Sequence, residues 1–252
     1  MLKKILPPLL AFVIYFLIIE GLAYFEYIDT QLFPPLTTLI KTLLTEWTQF
    51  RIAFSETLYH SLVSLILSFI FGLSISLLFT SFTFLKNMIF PFAIFFQTVP
   101  IIAIAPLLVI YLGYGSPTIL SSAIFVSIFP IIANSLIGLD STQKEWLDLF
   151  KIYKISPLKT LFLLKLPAAY PFIYSGLKIS AGLSVIGVVA GEFVAGSGLG
   201  SLIDSARTQQ RIDIVYTSLI LLAAIGLLFV SILKIINILI QKIRPLDLNL
   251  RD

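Results

Sequence analysis

Cysteine is absent from the 252-residue chain, so disulfides, thiolate metal ligands and a cysteine nucleophile are excluded. Histidine occurs once, at His60, which rules out paired-histidine zinc motifs; at the outer start of an apolar segment it reads as an interfacial residue and not as a ligand. No G-x-S-x-G is present, so no catalytic residue, metal or cofactor is expected of this chain. Charge is scarce as well: Asp, Glu, Lys and Arg together make up 12% of the residues, too few to cover a water-facing surface. The net charge of +4 is too modest to suggest nucleic-acid binding.

What is abundant is apolar. Hydrophobic residues make up 58% of the sequence, and the mean hydropathy is +1.03. That composition describes an integral membrane protein. Lipid offers no partner for backbone N–H and C=O groups, so only helices or a closed barrel can cross it, and the long unbroken apolar runs select helices. An all-α polytopic chain is therefore expected. A window of about 19 residues places six spans at residues 5–24, 62–82, 88–112, 119–139, 168–191 and 215–240, all within one transmembrane domain covering 1–252. The first run follows Met-Leu-Lys-Lys and is longer than a signal-peptide core, so it reads as an uncleaved span.

Basic residues collect on cytoplasmic flanks. With the N-terminus inside, the inner segments hold Lys3, Lys4, Lys86, Lys144, Lys151, Lys154, Lys159, Lys165, Lys242, Arg244 and Arg251, against Lys41, Arg51, Arg207 and Arg211 outside. Both termini are thus expected in the cytoplasm. So is the connection 140–167.

Two connections carry structure of their own. After Pro34-Pro35, the residues Leu36, Leu39, Ile40, Leu43, Leu44 and Trp47 recur with helical period, which predicts an amphipathic helix lying at the interface or packed on the spans. In the inner connection, Thr142 and Glu145 have the spacing of a capping box. Trp146, Leu149, Phe150 and Tyr153 then share one helical face, and Ser156-Pro157 can open a second helix. An aromatic stripe outside the bilayer needs a cover, either the inner ends of the protein's own spans or a soluble partner.

The stretch 148–178, "DLFKIYKISPLKTLFLLKLPAAYPFIYSGLK", resembles the cytoplasmic EAA loop of permease subunits of binding-protein-dependent ABC importers. Asp148 stands at the family's Glu, Leu149 and Phe150 at its alanines, Lys154 at its glycine, and Leu166-Pro167 at its closing Leu-Pro. Residues 99–115, "VPIIAIAPLLVIYLGYG", and 187–203, "GVVAGEFVAGSGLGSLI", are similar to matching segments of sulfonate, nitrate, taurine and pyrimidine-precursor permeases. The resemblance implies a type I importer-like fold in the cell inner membrane, working as a pair of copies. It also implies separate cytoplasmic ATPase subunits and a periplasmic or lipid-anchored solute-binding protein. The ATPase-coupling surface would comprise Glu145, Trp146, Asp148, Leu149, Phe150, Tyr153, Lys154 and Ser156. Lys154, in place of glycine, either carries the left-handed turn at a cost of about 1 kcal/mol or goes with a different loop geometry.

For the translocation route the sequence offers Gln97, Thr98 and Pro100 in a third span also broken by Pro91 and Pro106, which is either kinked packing or a pathway lining. Glu192, expected at a hydrated outer interface, is a further candidate for gating or for docking the binding protein. Glu20, Lys178 and Lys234 read as snorkelling residues. "GSGLGS" at 196–201 lacks the Lys-Ser/Thr of a phosphate loop. A secondary transporter or channel is the alternative; it requires paired charges or matching broken helices within the spans, and neither is visible.

Overall fold

A computed structural model describes residues 2–243, and every regular element among them is helical. In order they are α1 (Leu2–Tyr24), α2 (Leu36–Thr45), α3 (Trp47–Ser81), α4 (Thr83–Thr98), α5 (Ile101–Leu112), α6 (Ser116–Asp140), α7 (Lys144–Ile152), α8 (Pro157–Thr160), a π-helical turn (Leu161–Lys165), α9 (Leu166–Ala195), α10 (Gly198–Thr208) and α11 (Ile212–Ile243). Arg244 and Arg251, on which the inner placement of the C-terminus rests, lie outside the described residues, as do the side chains of Lys3 and Lys4. Among the described residues four helices are long and apolar enough to cross a membrane: α3, the continuous run 157–195, α6 and α11.

Two expected spans take a different form. The helix expected at 62–82 begins at Trp47 and runs for 35 residues, about 52 Å and well beyond the ~30 Å of hydrocarbon. A hydropathy window sees only its apolar half, yet the helix holds no proline and no glycine before Gly72, through which it runs unbroken. The expected third span, 88–112, is two helices. Pro100 caps α5 with φ −60° and ψ 125°, and the residue before a proline is pushed out of the α region, so α4 stops at Thr98.

The amphipathic helix after Pro35 forms, but its stripe divides. Leu39 is buried and Leu43 packs on the core, while Ile40 and Leu44 are exposed. Trp47 already belongs to α3, past a break at Glu46.

The centre of the bundle is the antiparallel pair α6 and α9. Without a hydrophobic force between helices in lipid, close approach of small residues supplies the attraction. A Cβ on Gly176 would come 2.7 Å from the Pro130 carbonyl oxygen, on Gly187 2.5 Å from the Ala123 Cα, and on Gly191 2.8 Å from the Ile119 Cα. A serine stitches the same seam, Ser180 Oγ donating to the Ser127 carbonyl at 2.5 Å, and Ser68 of α3 joins α6 from another side, its hydroxyl 2.7 Å from that of Ser127. Around it, Phe50 and Leu65 of α3, Val185 of α9, Leu199 and Leu202 of α10 and Ile225 and Phe229 of α11 form the main apolar cluster.

α10 lies between α9 and α11, where the sequence reading placed only a connection. Its buried Leu199, Leu202, Ile203 and Ala206 have helical spacing, so the signal was present but too short for a span search. At the opposite end of the bundle, Lys86 Nζ contacts Asp140 Oδ2 at 2.7 Å and ties α4 to α6.

The α6–α9 seam makes a sharp prediction. Gly187→Val should lower the apparent melting temperature in detergent, with a destabilisation of about 2–3 kcal/mol, whereas Gly182→Ala, which meets nothing within 4 Å, should leave it unchanged or slightly raised.

Candidate functional site

The two ends of the α9 rod carry the two clusters of interest. At one end stands the elbow of α7 and α8. Its first turn is not closed by the expected capping box: Gln143 is the N-cap without a side-chain bond, and Thr142 Oγ1 turns back to the Leu139 carbonyl at 3.4 Å. Thr142 and Ser141, whose Oγ donates to the Gly138 carbonyl at 2.8 Å, serve the end of α6 instead, where free carbonyls compete for them.

The other end of α7 closes as a Schellman motif. The Ile155 N–H bonds the Phe150 carbonyl at 3.0 Å and the Lys154 N–H bonds that of Lys151 at 2.9 Å, with Lys154 at φ +52°. The turn is therefore left-handed, and a lysine carries it at about 1 kcal/mol above glycine. Ser156 then caps α8, accepting from the Lys159 N–H at 3.4 Å, with Pro157 at the first helical position.

No residue of α7 is buried. Trp146 is 53% exposed, Leu149 38% and Tyr153 72%, and Phe150 is half-buried. Among the described residues the spans therefore leave most of the stripe uncovered, with Phe150 its most sheltered member. Asp148 pairs with Lys151 at 3.0 Å, an exposed contact that contributes little and can be exchanged for another partner. Glu145 sits in the first turn, where the helix dipole favours an acid.

At the far end lies a buried acidic nest. α10 starts inside the bundle, and its first N–H groups have no intrahelical acceptor. The Glu56 carboxylate accepts from the Gly198 N–H at 2.9 Å, the Thr57 hydroxyl from the Leu199 N–H at 2.8 Å, and the Glu192 carboxylate from the Gly200 N–H at 2.9 Å. Thr57 Oγ1 lies 2.9 and 3.0 Å from the two Glu192 oxygens and donates its proton to that carboxylate. Gly198, at φ +66°, has no room for a side chain: a Cβ there would meet the Glu192 carboxylate and Thr57.

Glu192 is fully buried, and His60 is 5% exposed. This corrects the expectation of an interfacial His60 and a hydrated Glu192, because the N-terminal extension of α3 and the inserted α10 cover them. His60 Nδ1 is 3.9 Å from Glu192 Oε1 and has no hydrogen-bond partner, while Nε2 lies 3.0 Å from Ser116 Oγ on α6. Glu56 and Thr57 were not singled out from sequence, since nothing in their local pattern marks them.

Past the other end of α10, Arg211 bridges Glu46 at 2.7 Å and Asp213 at 2.9 Å, and Thr42 donates to Asp213 at 2.8 Å. The hydrogen bonds to Asp213 and then Glu46 raise the guanidinium pKa above its already high ordinary value. Glu20 accepts from Thr37 at 2.8 Å, so it is a tethered residue. Lys178 and Lys234 are exposed.

Gln97, Thr98 and Pro100 meet at the α4–α5 break, all exposed. Thr98 donates to its own helix at the Phe95 carbonyl, 2.7 Å away. Gln97 borders a cavity of about 380 Å³ walled by Ser121, Phe125 and Phe129 of α6. Glu192 takes its hydrogen bonds from α3 and α10, not from this break. Among the described residues no group of three or more His, Asp or Glu side chains stands together as metal ligands.

Residues 64–245 match the family described as binding-protein-dependent transport system inner membrane component. A probable ABC transporter permease protein of Haemophilus influenzae is 38% identical over 172 residues, which is 68% of this chain and 70% of that protein. The formylaminopyrimidine transport permease protein ThiX of Halalkalibacterium halodurans is 31% identical over 180 residues, 71% of this chain and 72% of its own. The nitrate import permease protein NrtB of a Synechocystis species is 28% identical over 158 residues, 62% and 58% of the two chains. In three dimensions the chain is similar to the MetNI methionine ABC transporter in an inward-facing conformation, with a TM-score of 0.61 and 17% identity over 75% of this chain and 96% of that one.

The nest predicts that Glu192 is an anchor for α10. Glu192→Ala should destabilise the protein by about 1–3 kcal/mol and raise hydrogen exchange at the Gly198–Gly200 amides. Glu192→Gln should do so less, since it keeps one acceptor oxygen.

Proposed function

The chain belongs to the binding-protein-dependent transport inner membrane components and is the multi-pass permease subunit of an ABC importer, and we propose that its α7 elbow is the handle by which a separate ATPase subunit drives it. The observation that carries this reading is the aromatic face of α7, which among the described residues stays largely exposed. Trp146, Phe150 and Tyr153 supply the large rigid side chains that dominate interface energetics when desolvated. Leu149 and the bulky Phe150 fill the partner's groove. Asp148 gives up Lys151 for a basic or hydrogen-bonding group on the partner, and Glu145 caps the approach.

Nucleotide would be bound and split wholly on that subunit. Lys154 and Ser156 hold the elbow in shape: the first forms the left-handed turn, the second caps α8. Because α8, the π-helical turn and α9 are one continuous helix, 157–195, a push on the elbow tilts α9 directly.

In this assembly the α7 end faces the cytoplasm, in accord with the lysines gathered there. The α10 end faces outward and receives a periplasmic or lipid-anchored binding protein. A second copy of the chain completes the route, and Gln97, Thr98 and Pro100 at the α4–α5 break line it. Glu192 contributes to gating by fixing α10 in place. Relatives are named for formylaminopyrimidine, nitrate, bicarbonate and riboflavin, so one scaffold serves small solutes of unlike chemistry. Few charged side chains lie within the spans, which puts substrate choice mainly in the binding protein.

Asp148→Arg combined with Phe150→Ala should abolish co-purification with the ATPase subunit while membrane insertion stays intact; loss of the aromatic anchor alone corresponds to about 2 kcal/mol or more. Unchanged association would refute the handle. Because the native chain has no cysteine, Lys159→Cys is a clean topology probe: it should react with a maleimide in whole cells only when the reagent crosses the membrane.

A further inference from the structure

Between α7, the end of α3 and the start of the 157–195 helix lies a cleft of about 490 Å³. Thr80, Ser81, Leu147, Lys151, Leu161 and Lys165 are among its walls. It is distinct from the aromatic face: Leu147 and Lys151, four residues apart on α7, look into it, whereas Trp146, Phe150 and Tyr153 lie round the helix from them and line none of it. Leu161 and Lys165 are the two ends of the π-helical turn, and such turns recur at functional sites.

The chemistry of the walls is specific. Lys151 and Lys165 bring two ammonium groups; Asp148 holds the first at 3.0 Å in an exposed, exchangeable pair, and no acid among the described residues holds the second. The hydroxyls have already given away their protons: Thr80 donates to the Ser76 carbonyl at 2.9 Å, Ser81 to that of Leu77 at 3.0 Å, and Thr160 to that of Ser156 at 3.1 Å. Their lone pairs remain, so the cleft presents positive donors on one side and neutral acceptors on the other. A ligand that fits must carry an anionic acceptor and hydroxyl donors.

The surroundings say where such a ligand comes from. Leu78 and Phe82 at the end of α3, and Leu158, Phe162 and Leu163 beyond the elbow, are large apolar side chains between half and 70% exposed. An acyl chain can lie against them while the headgroup enters the cleft. Residues 144–165 carry five lysines against two acids, the pattern that draws anionic lipid to the cytoplasmic leaflet.

We propose that this cleft binds an anionic phospholipid with a hydroxylated headgroup, of the phosphatidylglycerol type. Its phosphate sits between Lys151 and Lys165, and its glycerol hydroxyls donate to Thr80, Ser81 or Thr160. The bound lipid braces α7 from beneath while the aromatic face stays free for the ATPase. The inference rests on the cytoplasmic placement of α7 given above.

Delipidated permease in mixed micelles, titrated with dioleoylphosphatidylglycerol or dioleoylphosphatidylcholine and read by native mass spectrometry, tests it. Phosphatidylglycerol should be retained in preference to phosphatidylcholine. K151Q/K165Q should weaken that binding roughly thirtyfold, at about fivefold for each lysine near a lipid phosphate. K151R/K165R should restore it, and K178Q/K234Q, which removes two exposed lysines outside the cleft, should leave it unchanged. F150A should keep the lipid while losing the ATPase. Equal retention of the two lipids, an equal loss in both Gln pairs, failure of the Arg pair to bind, or loss of lipid in F150A would each overturn the proposal. Displacement by millimolar glycerol 3-phosphate as readily as by the lipid would assign the cleft to a soluble anion and overturn it too. Binding in micelles is indifferent to orientation, so a wrong cytoplasmic assignment shows in the Lys159→Cys labelling and not in these titrations.

Discussion

The close contact of α6 with α9 is what the rest of this protein depends on. In water two helices are driven together by the apolar surface they hide, but in lipid that drive vanishes and the contact must be good enough in itself. Glycines at 176, 187 and 191 let the backbones approach until a single methyl group would not fit, and serines at 127 and 180 hydrogen-bond across the gap. Once that seam is set, the axis of α9 is fixed. The elbow at one end of the axis and Glu192 at the other inherit their positions from it.

Glu192 shows how a membrane protein tolerates a buried acid. An isolated carboxylate there would be expensive, and so would the unpaired N–H groups of a helix beginning inside the bundle. Each answers the other: the amide of Gly200 and the hydroxyl of Thr57 satisfy the carboxylate, and Glu56, Thr57 and Glu192 together satisfy the start of α10. The glycines at 198 and 200 are needed because their missing side chains are the space that the carboxylate fills. The run "GSGLGS", which superficially suggests a phosphate loop, thus receives its anion from the protein's own acids.

Much of the architecture could be read from the sequence, because spans and elbow follow strong local rules. α6 and α11 differ from the expected spans by only a few residues at either end, and the Ser156 cap and the aromatic stripe of α7 follow from spacing, while the exposure of that stripe and the left-handed turn at Lys154 were each one of two readings the sequence left open. What escaped was set by tertiary competition. Thr142 was drawn to α6 and away from α7. The polar first half of α3 stayed helical because it packs on α10, and the hydropathy pattern of residues 47–61 alone does not reveal that. α10 itself was too short and too interrupted by glycine to register, and without it neither the burial of Glu192 nor the role of Thr57 could be foreseen.

The helix from Pro157 to Ala195 is 39 residues long, about 58 Å at 1.5 Å per residue. It joins the elbow to the buried acid with no loop between them, so under the handle proposed above it would move as a rigid lever together with α6, to which the glycine seam binds it. Tilting such a rod by roughly 10° about its midpoint swings each tip by about 5 Å, close to the spacing of one helical turn. In the proposed cycle a displacement of that size at the elbow would be carried along the rod to its other tip, and the short amide contacts around Glu192 would travel with that tip or break.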